Sequence, residues 1–215
     1  AIRAAAGVKL KWNLIPLATG NAAWQPVGIT QAQCAAVSSL GTQFQYNQII
    51  TAFAELKLFI KIKSFNSSHF IQCINLSKVR LPAETINVGS SFNQCDKIVT
   101  WNFYPDSLTT FNTCYNIYID TMIVPPNVTS VANRAWSGSA SKRVAMRWIV
   151  FEGDTPPTFA GNPFYLDYSS VKIFVPDGSE DAYKTANNFT AQASKIYPIS
   201  RFAEFFPGES YERVT

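Results

Sequence analysis

The stretch Phe70-Ile-Gln-Cys73-Ile-Asn-Leu76-Ser-Lys-Val79-Arg-Leu81-Pro82 decides how this chain folds, because it comes back. It returns as Phe92-Asn-Gln-Cys95-Asp-Lys-Ile98-Val-Thr-Trp101-Asn-Phe103, with Pro105 one place late. A third copy opens at Phe111-Asn-Thr-Cys114-Tyr-Asn-Ile117 and closes at Ile123-Val124-Pro125. A degenerate fourth runs through Val128, Val131 and Trp136-Ser-Gly138 to Met146-Arg-Trp148-Ile-Val150, and an imperfect earlier copy is read at Phe53-Ala-Glu-Leu56 through Ile62. Each unit has one grammar: a Phe-x-x-Cys-x-x-Leu turn, a short alternating strand, and a proline that ends it. One such unit cannot bury its own apolar face, whereas stacked neighbours share a continuous core with Phe, Cys and Leu in ladders. Cys73, Cys95 and Cys114 are therefore expected as buried thiols on successive rungs.

The spacing of about 22 residues falls in the range of roughly 20–29 typical of leucine-rich repeats. The phrases Phe70-x-x-Cys73-x-x-Leu76-x-x-Val79-x-Leu81-Pro82 and Phe92-x-x-Cys95 resemble the BspA-like (treponemal-type) leucine-rich repeats of bacterial surface proteins. Phe151-Glu-Gly153-Asp-Thr-Pro156-Pro157 resembles that family's turn, and Lys172-Ile-Phe-Val-Pro176-Asp-Gly178-Ser179 through Tyr183-Lys184, then Ile196-Tyr197-Pro198-Ile199, its C-terminal capping segment. Ile29 to Gly41 and Ile50 to Leu56 resemble its helical lead-in. Relatives often carry an acidic calcium-binding phrase just before that lead-in. The matching Gln25-Pro-Val27-Gly28-Ile29-Thr30-Gln31 has no carboxylate, so no metal is expected there.

The resemblance implies an α/β-type leucine-rich-repeat solenoid, with short parallel strands on one face, a helical N-terminal lead-in and a mixed C-terminal cap. The expected divisions are 1–59 for the N-terminal arm and helical cap, 60–165 for the repeats, and 166–215 for the cap and tail. Residues 1–27 read as an extended arm or short strands broken by Pro16 and Pro26. Thr30 is placed to N-cap a helix to about Leu40, with Gly41 as its stop, and a second helix is expected near Gln48–Phe59. Pro176 should end a strand, Ser179 cap a short helix to about Asn187, and Ile196–Ile199 form a last strand. The aromatic tail after Phe202 either packs back on the cap or inserts into a partner.

Composition limits function more than it defines it. The 215 residues are 47% hydrophobic and only 15% charged, with a net charge of +4, which argues against disorder and against nucleic acid. No run approaches the roughly 18 apolar residues of a membrane span, so no membrane insertion is expected. The opening Ala1-Ile-Arg-Ala-Ala-Ala-Gly-Val-Lys9 shows no apolar core of a secretory signal. Between Lys11 and Glu55 there is no Asp, Glu, Lys or Arg. Residues 12–54 are thus either a neutral polar cap or an assembly contact, a homo-oligomer included.

No enzyme, cofactor or metal centre is read from the sequence. The single histidine, His69, sits at a repeat turn with no second ligand in register. The acidic groups Glu152 with Asp154, and Asp177 with Glu180 and Asp181, fall in a turn and at a helix start rather than across a cleft. The expected functional surface is the strand face, where Lys78, Arg80, Thr100, Asn102, Thr121 and Arg147 flank inward positions and point outward. The leading expectation is a non-enzymatic binding or adhesion module for protein or glycan, extracellular or on a bacterial surface. The alternative is a structural subunit of a larger assembly, such as a bacteriophage virion or fibre protein.

Overall fold

Apolar residues spaced by three set the local geometry. In the computed structural model, which describes residues 2–3, 9–10, 30–65, 69–112, 119–133, 135, 146–161 and 170–213, Cys73 N–H donates to Phe70 O and Leu76 N–H to Cys73 O, at 3.1 and 2.9 Å. Cys95 to Phe92 and Ile98 to Cys95 repeat the pattern one unit on. Bonds between residues three apart give three residues per turn, so positions i, i+3 and i+6 eclipse and face one way. Phe70, Cys73 and Leu76, then Phe92, Cys95 and Ile98, are all buried on that inward side.

Between such turns the chain extends into short strands. β1 (Ile2–Arg3) and β2 (Lys9–Leu10) pair antiparallel. After α1 (Gln31–Ala36) come β3 (Ala52–Phe53), β4 (Lys78–Val79), β5 (Thr100–Trp101), β6 (Thr110–Phe111), β7 (Thr121–Val124) and β8 (Ser130–Val131). β9 (Trp148–Phe151), β10 (Thr158–Phe159), β11 (Lys172–Val175), α2 (Glu180–Thr185), β12 (Ile196–Pro198) and α3 (Phe202–Phe205) complete the order. Among the described residues every pairing from β3 onward is parallel. The five-stranded ladder runs β12-β11-β9-β7-β5, with Trp101, Met122, Ile149, Ile173 and Ile196 in register. A second ladder, β10-β8-β6, is continued by the bridges Thr110 to Asn87 and Asn87 to Ser64. The chain passes from one ladder to the other and back, and the fold is of the α/β type: parallel strands in sheets with a few short helices.

The aromatic ladder between the two is continuous. Phe70 and Phe92 stack with ring centroids 5.3 Å apart and planes within 4°. Phe44 packs on Phe53 and Phe70, and Phe92 meets Trp101 and Phe103 edge-on. Cys73 and Cys95 are buried thiols on this ladder, donating to Phe44 O and Phe70 O respectively. Cys114 lies outside the described residues, as do Trp136 to Gly138 and the phrase from Gln25 to Ile29.

Several local expectations are corrected. The helix near Gln48–Phe59 is not formed: Asn47 Oδ1 accepts from both Ile49 and Ile50 N–H at 2.9 Å, and β3 follows, then a 3-10 turn over Ala54–Leu58. The apolar positions Ile50, Phe53, Leu56, Phe59 and Ile62 recur every three residues, which suits this turn-and-strand geometry rather than an α-helix of 3.6 per turn. The early repeat is also out of phase as read. Phe53 pairs with Val79, so the unit begins at Phe44, and Tyr46 takes the same left-handed conformation (φ 58°) as Gln72 and Gln94 (59° and 60°). Finally, α1 has the Thr30 cap, reciprocated by Gln33, but stops at Ala36 because Val37 turns extended to send itself and Leu40 into the core. At the other end, β11 stops before Pro176 as expected, while Ser179 makes no side-chain cap and α2 ends at Thr185.

Candidate functional site

Strands β7, β9 and β11 bury both faces. Met122, Val124, Ile149, Phe151, Ile173 and Val175 face the aromatic core, and the alternate residues Ile123, Trp148, Val150 and Phe174 form a second cluster on the opposite side. That second side is the strand face, and the C-terminal tail covers it. Phe202 packs edge-on against Trp148 and Phe174 at 5.2 and 5.0 Å, with Phe206 and Tyr211 alongside. Of the two readings of the aromatic tail, packing back is the one observed. Lys172 and Arg201 each lie over Tyr197 and Phe205, so the tail's rim is held by cations over ring faces.

Beyond the turn at Pro207-Gly208 the tail runs back across the ladder towards β5. Glu209 carboxylate accepts from Arg147 Nη1 at 2.6 Å and from Trp148 Nε1 at 3.3 Å. Asp120 grips the same guanidinium side-on, at Nε (2.8 Å) and Nη2 (2.9 Å). Asn102 Nδ2 donates to Glu212 O at 3.0 Å. Arg213 donates to Tyr104 O and pairs with Asp106, and its Nε lies 2.8 Å from Glu152 Oε2. Two acceptors around Arg147 hold it firmly protonated, and Arg147 in turn lowers the Glu209 carboxyl below its ordinary range. Burial pushes the Glu152 carboxyl up, opposed by the neighbouring Arg213.

Between ladder and tail a cleft of about 220 Å³ remains, lined by Thr100, Asn102, Thr121, Arg147 and Trp148 with Glu209, Ser210 and Glu212. Four of the six residues expected on the strand face therefore meet in one place. Lys78 and Arg80 do not: they belong to the separate β3–β4 ladder, Lys78 exposed and Arg80 half-buried. Thr121, expected to point to solvent, is buried, because the tail lies above it. The residues missed are Trp148 and the tail's Glu209, Ser210 and Glu212. The signal for the first was present: Trp148-Ile-Val-Phe151 and Ile173-Phe-Val175 are unbroken apolar runs, the pattern of strands covered on both sides.

Other expected chemistry stays apart. His69 is buried against Phe65 at 5.7 Å. Among the described residues no group of three His, Cys, Asp or Glu could hold a metal ion, and no helix is long and apolar enough to cross a membrane. The chain matches no protein-family model and no curated protein.

Proposed function

We propose that this chain is a non-enzymatic binding or adhesion module, a leucine-rich-repeat solenoid of BspA-like type that recognises protein or glycan through its strand face at an extracellular or bacterial surface. The observation that carries this reading is the meeting of Thr100 and Thr121, in β5 and β7, with Asn102 just after β5 and Arg147 just before β9, around a single polar cleft. Stacked strands hold such side chains at fixed separations, which suits recognition of an extended ligand with little ordering cost. Lys78, exposed, and Arg80, half-buried, stand apart at the β3–β4 ladder and offer a second polar stretch for a ligand. The test is binding of the purified chain to a glycan array and to matrix proteins, beside Asn102→Ala and Lys78→Ala/Arg80→Ala variants. At least one variant should lose about tenfold in affinity, as for an interface residue worth about 1.4 kcal/mol. A ligand retained unchanged by both variants refutes the strand-face assignment.

One observation favours a second reading, a structural subunit of a larger assembly. Within the uncharged segment, Gln31, Gln33, Ser38, Gln43 and Gln48 are exposed, and the large apolar side chains Tyr46 and Ile49 are 59% and 49% exposed beside them. A neutral surface of this kind suits a permanent contact. Light scattering coupled to gel filtration at two concentrations separates the readings. A mass near 24 kDa at both supports the lone module, and a stable multiple supports the assembly.

A further inference from the structure

Glu209 occupies a socket that the ladder builds without it. Asp120 engages Arg147 through Nε and Nη2, which fixes the guanidinium plane and leaves Nη1 for the cleft. Trp148, the next residue, has its ring buried among Phe202 and Phe206, so its indole N–H is equally fixed. The two donors meet opposite oxygens of one carboxylate, Oε1 and Oε2 of Glu209. Rigid donors on both oxygens, one of them charged, make a carboxylate receptor. Three residues further along the tail, Asn102 holds a main-chain carbonyl, a contact that any peptide residue supplies.

The tail that fills this row is bipartite. Its first part, Phe202 to Phe206, is anchored by apolar burial. Its second part follows Pro207-Gly208, both exposed, with Gly208 in the left-handed region at φ 80°. Residues 209–213 are then held by hydrogen bonds and ion pairs and by Tyr211 against Phe202; the side chains of Arg147 and Glu209 are 45% and 38% exposed, whereas that of Arg213 is 15% exposed. The exposed Arg147–Glu209 pair contributes little net attachment, so Glu209 can leave its socket while Phe202 to Phe206 stay docked.

Resting on the strand-face reading above, we propose that the Arg147, Trp148 and Asn102 row is a receptor for an extended acidic peptide of a partner protein, with residues 209–213 as its intramolecular occupant. The partner supplies a Glu or Asp carboxylate to Arg147 and Trp148 and a main-chain carbonyl to Asn102. Binding in trans displaces the tail's second part, so the tail sets the threshold affinity.

The experiment is fluorescence anisotropy with a labelled, end-blocked Glu-Ser-Tyr-Glu-Arg probe on the full chain, comparing wild type, Glu209→Gln and the Glu209→Gln/Arg147→Met double variant. Thermal melts of all three check folding, and Asn102→Ala in the Glu209→Gln background gives an independent reading if Arg147→Met melts early. The Glu209→Gln variant should bind the probe about fivefold more tightly than wild type, the upper end for one exposed ion pair. That gain should vanish in the double variant, with a probe carrying Gln first, and at high salt. Equal binding by wild type and Glu209→Gln, or binding that survives Arg147→Met and Asn102→Ala, overturns the receptor. If it fails while a protein or glycan ligand still depends on Lys78 and Arg80, the receptor alone falls and the strand-face reading stands. If the probe behaves as expected while no other ligand responds to Lys78, Arg80 or Asn102, the broader reading falls.

Discussion

Phe92→Ala probes the element on which the whole architecture rests. The Phe92 ring is fully buried, stacked on Phe70 at 5.3 Å and met edge-on by Trp101 at 6.1 Å and Phe103 at 5.6 Å. Removing it opens a ring-sized void between neighbours that cannot close on it. Phe70 is held by Phe44, Phe53 and Phe65, and Trp101 is tied by its indole N–H to Ile98 O at 2.8 Å. Phe→Ala in a core costs about 3–5 kcal/mol, and a site this constrained belongs near the upper end. For a chain of this size, a cost of about 5 kcal/mol is a fall in Tm of roughly 10–20 °C. Urea unfolding followed by far-UV circular dichroism and tryptophan fluorescence reads it as a lower midpoint at unchanged slope. Val99→Ala in the same repeat unit, 43% exposed, should stay within about 0.5 kcal/mol of wild type. Phe70→Ala combined with Phe92→Ala should cost about 0.5–1.5 kcal/mol less than the sum of the single costs, because the stacking lost in either single variant is lost only once in the double. A Phe92→Ala cost below about 1.5 kcal/mol, or additive single variants, would falsify the stacked ladder as the source of stability.

Two further outcomes are expected. Gly153→Ala should destabilise by about 1–3 kcal/mol, since the new Cβ would stand 2.8 Å from Pro126 O, a backbone atom that cannot move aside cheaply; an unchanged Tm disproves that close approach. The Glu209 carboxyl is held below its ordinary range first by the Arg147 hydrogen bond, so its contribution to tail attachment is fully present above the unfolded glutamate pKa of about 4.3 and is lost as pH falls through the lower folded value. Acid titration of tryptophan fluorescence should show this step in wild type and not in Glu209→Gln. A step of equal size in both contradicts the assignment.

Much of the interior was legible because its cause is local. Phe, Cys and Leu at three-residue spacing dictate turns bonded i to i+3, and those turns point Phe70, Cys73, Leu76 and their counterparts inward whatever lies elsewhere in the chain. Thr30 as a cap and Pro176 as a strand end are equally local, needing only a hydroxyl near orphan N–H groups and a ring that fixes φ. The same regularity hid the phase of the first unit. When apolar residues recur every third position through Ile50, Phe53, Leu56, Phe59 and Ile62, any of them can be read as the repeat's opening Phe. Only the pairing of Phe53 with Val79 fixes which. The candidate site was legible as a list of outward strand positions and no further. Its closure depends on the tail lying across strands some 60–110 residues earlier in the chain, through Glu209 to Arg147, Glu212 to Asn102 and Arg213 to Tyr104. The sequence by itself thus determined the rung, because hydrogen-bond geometry and hydrophobic spacing act within a few residues. Only the tertiary structure decided which apolar surface received the aromatic tail, because hydrophobic attraction is non-directional and chooses a partner by shape across the whole fold.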